Sequence, residues 1–73
     1  MEDEAVRRER RQSLIAALGR LPETQRRVLV LRFLGERSSE EVGEITGTKA
    51  VTVRGIQLRA LRSLRRSLDR TWM

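Results

Sequence analysis

Arginine is the residue type best suited to bind a ligand in this chain of 73 residues. Of its 16 basic residues, all but Lys49 are Arg, and they outnumber the 10 acidic residues. A planar guanidinium can bind a phosphate or the edge of a guanine with two hydrogen bonds, which a Lys ammonium cannot do. Five of these residues fall close together near the C-terminus: Arg54, Arg59, Arg62, Arg65 and Arg66. This cluster indicates binding to a polyanion, although an Arg-rich helix face is equally often only a solvated surface.

Other kinds of chemistry find little support in the composition. The chain has no cysteine and no histidine, which excludes disulfides, thiolate metal sites and the usual general base. The carboxylates form no pattern beyond surface Glu residues. We therefore expect neither an enzyme nor a bound metal or cofactor.

The distribution of apolar residues excludes a membrane span. No apolar run approaches the roughly 20 residues that cross a bilayer, and the first eleven residues, MEDEAVRRERR, are almost all charged and do not resemble a signal peptide. We expect a single cytoplasmic domain over residues 1–73 with no membrane insertion.

Helix start and stop signals divide the chain into four segments. Gly19, Gly35 and Gly47 suit helix ends, and Pro22 suits a helix start because its missing N–H costs nothing in a first turn. The predicted helices cover residues 4–18, 23–34, 39–46 and 49–70. The expected fold is therefore all-α, with four helices, short loops and a C-terminal helix-turn-helix.

Apolar residues in the first two helices predict the core. The first helix has a stripe only in its second half, formed by Leu14, Ile15, Ala17 and Leu18. The second helix is the predicted central helix of the core, with apolar residues at Val28, Leu29, Leu31, Phe33 and Leu34. Trp72 is expected to be a packing residue near the chain end, since two aromatic residues are too few for a base-stacking surface.

The segment from residue 38 to residue 64 has the spacing of a helix-turn-helix. Ser38 followed by Glu41 is a capping-box pattern that starts a helix at Ser39. Gly43 lacks bulk where two helices must cross, and Gly47 permits a sharp turn. The inward-facing anchors of this helix are predicted to be Val42 and Ile45, and Thr48 is expected to cap the next helix.

The last helix is the predicted recognition helix. Val53, Ile56, Ala60 and Leu64 recur on one face, which should pack on the preceding helices. In helix-turn-helix domains the N-terminal half of the second helix enters the major groove. Arg54 and Arg59 could then reach guanine edges or phosphates, Leu58 a thymine methyl, and Gly55 would let the backbone approach. The candidate DNA contacts on this helix are Lys49, Thr52, Arg54, Gly55, Leu58, Arg59 and Arg62.

The pattern of residues 21–66 resembles region four of bacterial sigma factors, and within it the extracytoplasmic-function group. The matching residues are Leu21-Pro22, Gln25-Arg26, Val28, Leu31-Arg32, Ser38, Glu41-Val42, Gly47, Thr52-Val53-Arg54 and Arg59-Ala60. Thr46 departs from the pattern, since an apolar residue usually precedes the turn glycine there. Residues 1–73 contain no counterpart of the sigma domain that melts the −10 region, so we expect an excised domain or a stand-alone regulator.

The resemblance implies a domain that reads the promoter −35 element in double-stranded DNA while bound to the β flap of RNA polymerase. It places Arg54, Gly55, Leu58 and Arg59 at positions that read bases and backbone. It places Arg32, Ser39 and Thr52 at positions that touch phosphates. An anti-sigma factor that covers the same helices is a further partner that the resemblance implies.

Two alternative functions remain open at this point. A LuxR-type regulator output domain shares the four-helix plan, but the LP..QR opening and the lack of an evident dimerising helix argue against it. The chain could instead be a protein-interaction module held by an anti-sigma factor or another regulator. The apolar side chains Leu58, Leu61 and Leu68 of the last helix would serve that role.

Overall fold

The computed structural model describes residues 3–72, with only the backbone described at positions 71 and 72. The prediction for the Trp72 side chain lies outside the described residues. The described part is all-α and carries a C-terminal helix-turn-helix, as predicted. Its elements are α1 (Glu4–Gly19), α2 (Glu23–Leu29), a π-helical segment (Val30–Leu34), α3 (Ser39–Thr46) and α4 (Ala50–Trp72).

The helix predicted for residues 23–34 changes its winding at Val30. The N–H of Gly35 donates to the carbonyl of Val30, 2.9 Å away and five residues earlier, which is a π-helical bond. A wider turn rotates the side chains that follow it relative to a continuous α-helix. The predicted burial of Phe33 and Leu34 is wrong, since 53% and 76% of these residues is exposed. Even a continuous α-helix would place Leu34 about 140° around the axis from the buried Leu29.

The core forms around α4, which packs against α1, α2 and the α3 helix. One buried cluster consists of Val28, Val42 and Val53, with Ile56 packed against it. A second cluster consists of Leu21, Leu29 and Ala60, joined by Leu18 and Leu64. The predicted inner face of the last helix is confirmed, but the central helix of the domain is α4 and not the second helix.

The predicted cap at the start of α3 and the predicted glycine turn between α3 and α4 are both confirmed. Ser38 Oγ accepts from the Glu41 N–H at 3.1 Å, and a Glu41 carboxylate oxygen accepts from the Ser38 N–H at 2.9 Å. Gly47 has a φ of 70°, a left-handed conformation that glycine adopts without strain. A Cβ atom at Gly43 would collide with the Thr48 carbonyl oxygen, so only glycine permits this close crossing.

Two details at this turn differ from the sequence prediction. The α4 helix begins at Ala50, so Lys49 precedes it and is not its first residue. Thr48 lies two residues before the first residue of α4 and is therefore not at its capping position, and its hydroxyl donates to the Thr46 carbonyl at 3.4 Å.

Ile45 is not the inward-facing anchor that its spacing from Val42 suggested, because 46% of it is exposed. The close approach at Gly43 decides which side of α3 faces the core. Ser39, Val42 and Gly43 are buried and Thr46 is half-buried. At about 100° per residue, Ile45 lies about 110° around the helix axis from the centre of that face.

Candidate nucleic-acid interface

The exposed face of α4 lies opposite its buried face. Val53 and Ala60 are fully buried, whereas Arg54, Leu58 and Arg62 are exposed and Gly55 is half-buried. The helical repeat places these last four about 100° to 200° around the axis from Val53. The structure therefore brings three of the four predicted base-reading residues, Arg54, Gly55 and Leu58, together with Arg62 on one side of the helix.

Thr52, Arg59 and Lys49 border this face. Lys49 immediately precedes α4, and all three residues are exposed. Thr52 and Arg59 lie about 20° apart around the helix axis, seven residues from each other. They form a polar edge along the exposed face, where phosphates of a docked duplex could be bound.

A basic cleft adjoins this edge, with a volume of about 520 Å³. Its lining residues are Gln25, Arg59, Arg62, Ser63, Arg65 and Arg66. The side-chain oxygen of Gln25 is buried and has no hydrogen-bond partner. The four arginines of the cleft supply guanidinium groups, and each of these can bind a phosphate with two hydrogen bonds. The cleft is thus chemically suited to the sugar-phosphate backbone.

Arg54 is joined to α3 by an ion pair. Its Nη2 atom lies 2.7 Å from a carboxylate oxygen of Glu40, and the two side chains are 58% and 64% exposed. The pair links the two helices of the helix-turn-helix at the surface. An exposed pair of this kind contributes little to stability, so its main effect is on where the guanidinium lies.

Arg32, a predicted phosphate contact, is anchored within the protein. Its Nε atom donates to the Gln57 side-chain oxygen at 3.0 Å, and Nη1 donates to the Arg37 carbonyl at 2.5 Å. Its guanidinium carbon lies 5.8 Å from the centre of the Phe33 ring. Arg32 therefore joins the π-helical segment to α4, and it does not share the exposed face of that helix.

Ser39, the other predicted phosphate contact outside α4, is buried, with 8% of the residue exposed. It is the first residue of α3, next to the capping residue Ser38. Its location leaves little of the side chain for an outside ligand. The structure thus buries Ser39, whereas the predicted contacts on α4 are exposed or half-buried.

Val51 is a candidate contact that the sequence interpretation missed. It is 67% exposed in the first turn of α4. Arg54, Gly55 and Leu58 follow it at three, four and seven residues, which places all four on one helix face. That spacing could have identified Val51 from the sequence alone. An exposed valine at this position is suited to contact a thymine methyl.

Glu41 is held in its charged form by the start of α3. The N–H and hydroxyl groups of Ser38 lower the pKa of the Glu41 carboxyl, with a smaller contribution from Arg37. The ionised carboxylate accepts from the Ser38 N–H and so stabilises the cap at the start of the helix-turn-helix. Glu41 therefore stabilises the start of α3.

The described residues contain no cluster of three or more metal-ligating side chains. Within the same residues, no helix has the length and apolarity needed to cross a membrane.

A short capped helix, a glycine turn and a longer helix with an exposed cationic face define a helix-turn-helix DNA-binding domain. Residues 17–66 match the family model described as Sigma-70, region 4, and the chain belongs to that family. The family binds DNA in promoter −35 recognition, interacts with RNA polymerase and is not catalytic. No curated protein and no solved structure matches the chain significantly.

Proposed function

We propose that this domain reads the promoter −35 element for a sigma factor of the extracytoplasmic-function group, in the cytoplasm, and thereby directs transcription initiation. The observation that carries the proposal is the exposed face of α4. It presents Arg54, Gly55, Leu58 and Arg62 on the side opposite the core. The family membership favours this function over a LuxR-type output domain.

Contacts outside the base-reading face complete the proposed interface. Arg59 and Arg62 line the basic cleft beside it, and Thr52 and Lys49 border it. Together they supply phosphate contacts that fix the register of α4 in the groove. In the proposed complex Arg32 adds a phosphate contact through donors that its bonds to Gln57 and Arg37 leave available.

DNA binding is tested by titrating fluorescent duplexes with the domain. We use a pool randomised over ten base pairs and enrich it through repeated rounds of binding. An enriched motif that binds at least ten times more tightly than the starting pool supports the proposal. Binding that remains equal for all duplexes contradicts −35 recognition.

We further propose that RNA polymerase docks its β flap in an apolar groove on the domain. The groove has a volume of about 250 Å³ and lies between α1, the π-helical segment and α4. Phe33 and Leu34 are largely exposed along it. Its lining residues are all apolar: Leu14, Leu18, Leu29, Val30, Phe33, Leu34, Leu61 and Leu64. A contiguous groove lined only by apolar side chains suits an apolar segment of a partner protein.

A matched pair of variants tests this docking site. Leu34→Ser removes an exposed apolar side chain within the groove, and Ile15→Ser removes one from α1 outside it. Binding to a purified β-flap fragment is measured by calorimetry. Loss of binding for Leu34→Ser alone supports the site, and equal binding of both variants contradicts it.

The second candidate function is that of a module held by an anti-sigma factor. Leu58 and Leu61 favour it, since half and more than a third of these residues is exposed on α4. A partner that covers Leu58 would also cover the DNA-facing side. Competition between a purified anti-sigma protein and duplex DNA for the domain tests this function, and simultaneous binding of both contradicts it.

A further inference from the structure

The ion pair between Glu40 and Arg54 joins two separate helices, unlike the pairs Arg8–Glu4, Arg37–Glu41 and Arg65–Asp69. Arg37–Glu41 and Arg65–Asp69 each connect residues four positions apart. The Glu40–Arg54 contact spans 14 residues, and at 2.7 Å it is shorter than either of those two pairs. It therefore constrains a side chain of the recognition helix from outside that helix.

We propose that Glu40 is a positioning residue that sets the base preference of Arg54. This inference rests on the proposed reading of DNA by α4. The contact uses one nitrogen of the guanidinium, Nη2, and one carboxylate oxygen. A guanidinium has five N–H donors. An edge of Arg54 therefore remains for the paired acceptors of a guanine.

The exposure of the pair decides how it acts. Both side chains are more than half exposed, so water weakens their attraction in the unbound domain. A docked duplex excludes that water and strengthens the attraction. The 2.7 Å contact also restricts the rotamers of Arg54 before the duplex docks, which lowers the entropic cost of a directed hydrogen bond.

The negative charge of Glu40 adds a second, repulsive contribution to selectivity. Glu40 is in the first turn of α3, on the helix that precedes the recognition helix. When Arg54 leaves the pair to reach a different base, an uncompensated carboxylate remains close to the DNA phosphates. That arrangement disfavours the wrong duplex more than the right one, which is how repulsive elements generate specificity.

The experiment compares Glu40→Gln with Glu44→Gln as a matched control. Both residues are exposed on α3, and both substitutions remove one negative charge. Each variant is offered the randomised duplex pool, and the bound fraction is sequenced to give a preference at every base pair. Arg54→Ala, measured in the same way, identifies the base pairs that Arg54 reads.

We expect both Gln variants to bind the unselected pool about two- to fivefold more tightly, because each lowers repulsion from phosphates. Only Glu40→Gln should also weaken the preference at the base pairs read by Arg54, by about two- to fivefold. In an Arg54→Ala background, Glu40→Gln should change no preference further. Glu40→Asp keeps the charge but shortens the side chain, and should weaken the same preferences without tighter binding to the pool.

Two results overturn the inference, and they are distinguishable. If Glu40→Gln keeps the full preference at the base pairs that Arg54→Ala alters, Glu40 does not position Arg54, and the proposed function stands. If the unmodified domain enriches no motif, the proposed function fails and the inference fails with it. Equal melting temperatures of the Gln variants and the unmodified domain establish that the folded domain is compared throughout.

Discussion

Arg32 donates from Nε to the side-chain oxygen of Gln57, 3.0 Å away, and so connects the π-helical segment to the recognition helix. The segment lines the apolar groove. Gln57 is on α4 between the half-buried Ile56 and the exposed Leu58. The surface proposed for polymerase and the surface proposed for DNA are therefore joined by one hydrogen bond between half-buried side chains.

The salt dependence of DNA binding can distinguish the role of Arg32 from that of Gln57. Gln57→Ala breaks the bond without changing charge, and should lower the free energy of unfolding by about 1 kcal/mol while leaving the salt slope unchanged. Arg32→Ala should lower stability by a similar amount and also reduce the slope of log K against log salt by about 0.9. Urea denaturation and titrations at several salt concentrations measure both. An unchanged slope for Arg32→Ala would show that Arg32 makes no phosphate contact.

The close crossing at Gly43 predicts a strong dependence of stability on that residue. Gly43→Ala places a Cβ atom against the Thr48 carbonyl, which is backbone and cannot rotate away. We expect a loss of about 1–3 kcal/mol in the free energy of unfolding. Gly55→Ala is the control, since no atom lies within 4 Å of its Cβ position. It should gain up to about 1 kcal/mol from helix propensity, and a loss for both variants alike would contradict the crossing.

Arg54 and Arg59 should each contribute to specific DNA binding. Arg54→Ala and Arg59→Ala remove side chains from the exposed face of α4 and its border, and each should weaken binding to the enriched motif by about 1–3 kcal/mol. Arg8→Ala removes the same charge from α1, where Arg8 lies 4.0 Å from Glu4. Anisotropy titrations should show little effect for Arg8→Ala. Full retention of binding by both α4 variants would refute the recognition face.

The capping box predicts a loss of stability in acid. The pKa of Glu41 is below its ordinary value of 4.5 in the folded domain, so its ionised form binds the cap more strongly than its protonated form. This contribution is fully present above about pH 4.5 and is lost as the pH falls through the lowered pKa. Urea denaturation between pH 7 and pH 3 measures it. Glu41→Gln should show a smaller decrease in that range, and an identical decrease would contradict the role of Glu41.

Ser38→Ala tests the same cap at neutral pH. It removes the oxygen that accepts from the Glu41 N–H and should cost about 1 kcal/mol of stability. The control is Ser63→Ala in the middle of α4, away from any helix start. A loss for Ser38→Ala no larger than that of Ser63→Ala would mean that the cap is not formed in solution.

Local signals in the sequence were sufficient for the helix-turn-helix. The capping box at Ser38 and the left-handed turn at Gly47 depend on residues within four positions of each other, and the structure has both. The buried residues Val53 and Ala60 were likewise predicted, because helical periodicity alone assigns them to one face. These features need no knowledge of distant parts of the chain.

Tertiary packing decided which of the remaining apolar side chains are buried and which are exposed. Ile45 faces outward because the contact of Gly43 with the Thr48 backbone turns α3, and spacing along the helix does not reveal that contact. Phe33 and Leu34 line an open groove and are not part of the core, because packing between helices decides which apolar side chains a neighbouring helix covers.

The sequence by itself determined the elements, the inner face of the recognition helix and the family resemblance, since each is written in neighbouring residues. The pairing of Glu40 with Arg54 was decided only by the tertiary structure. It depends on the angle at which α3 and α4 cross, and that angle is the outcome of packing around Gly43. Residues far apart in sequence meet at a distance that only the folded chain defines.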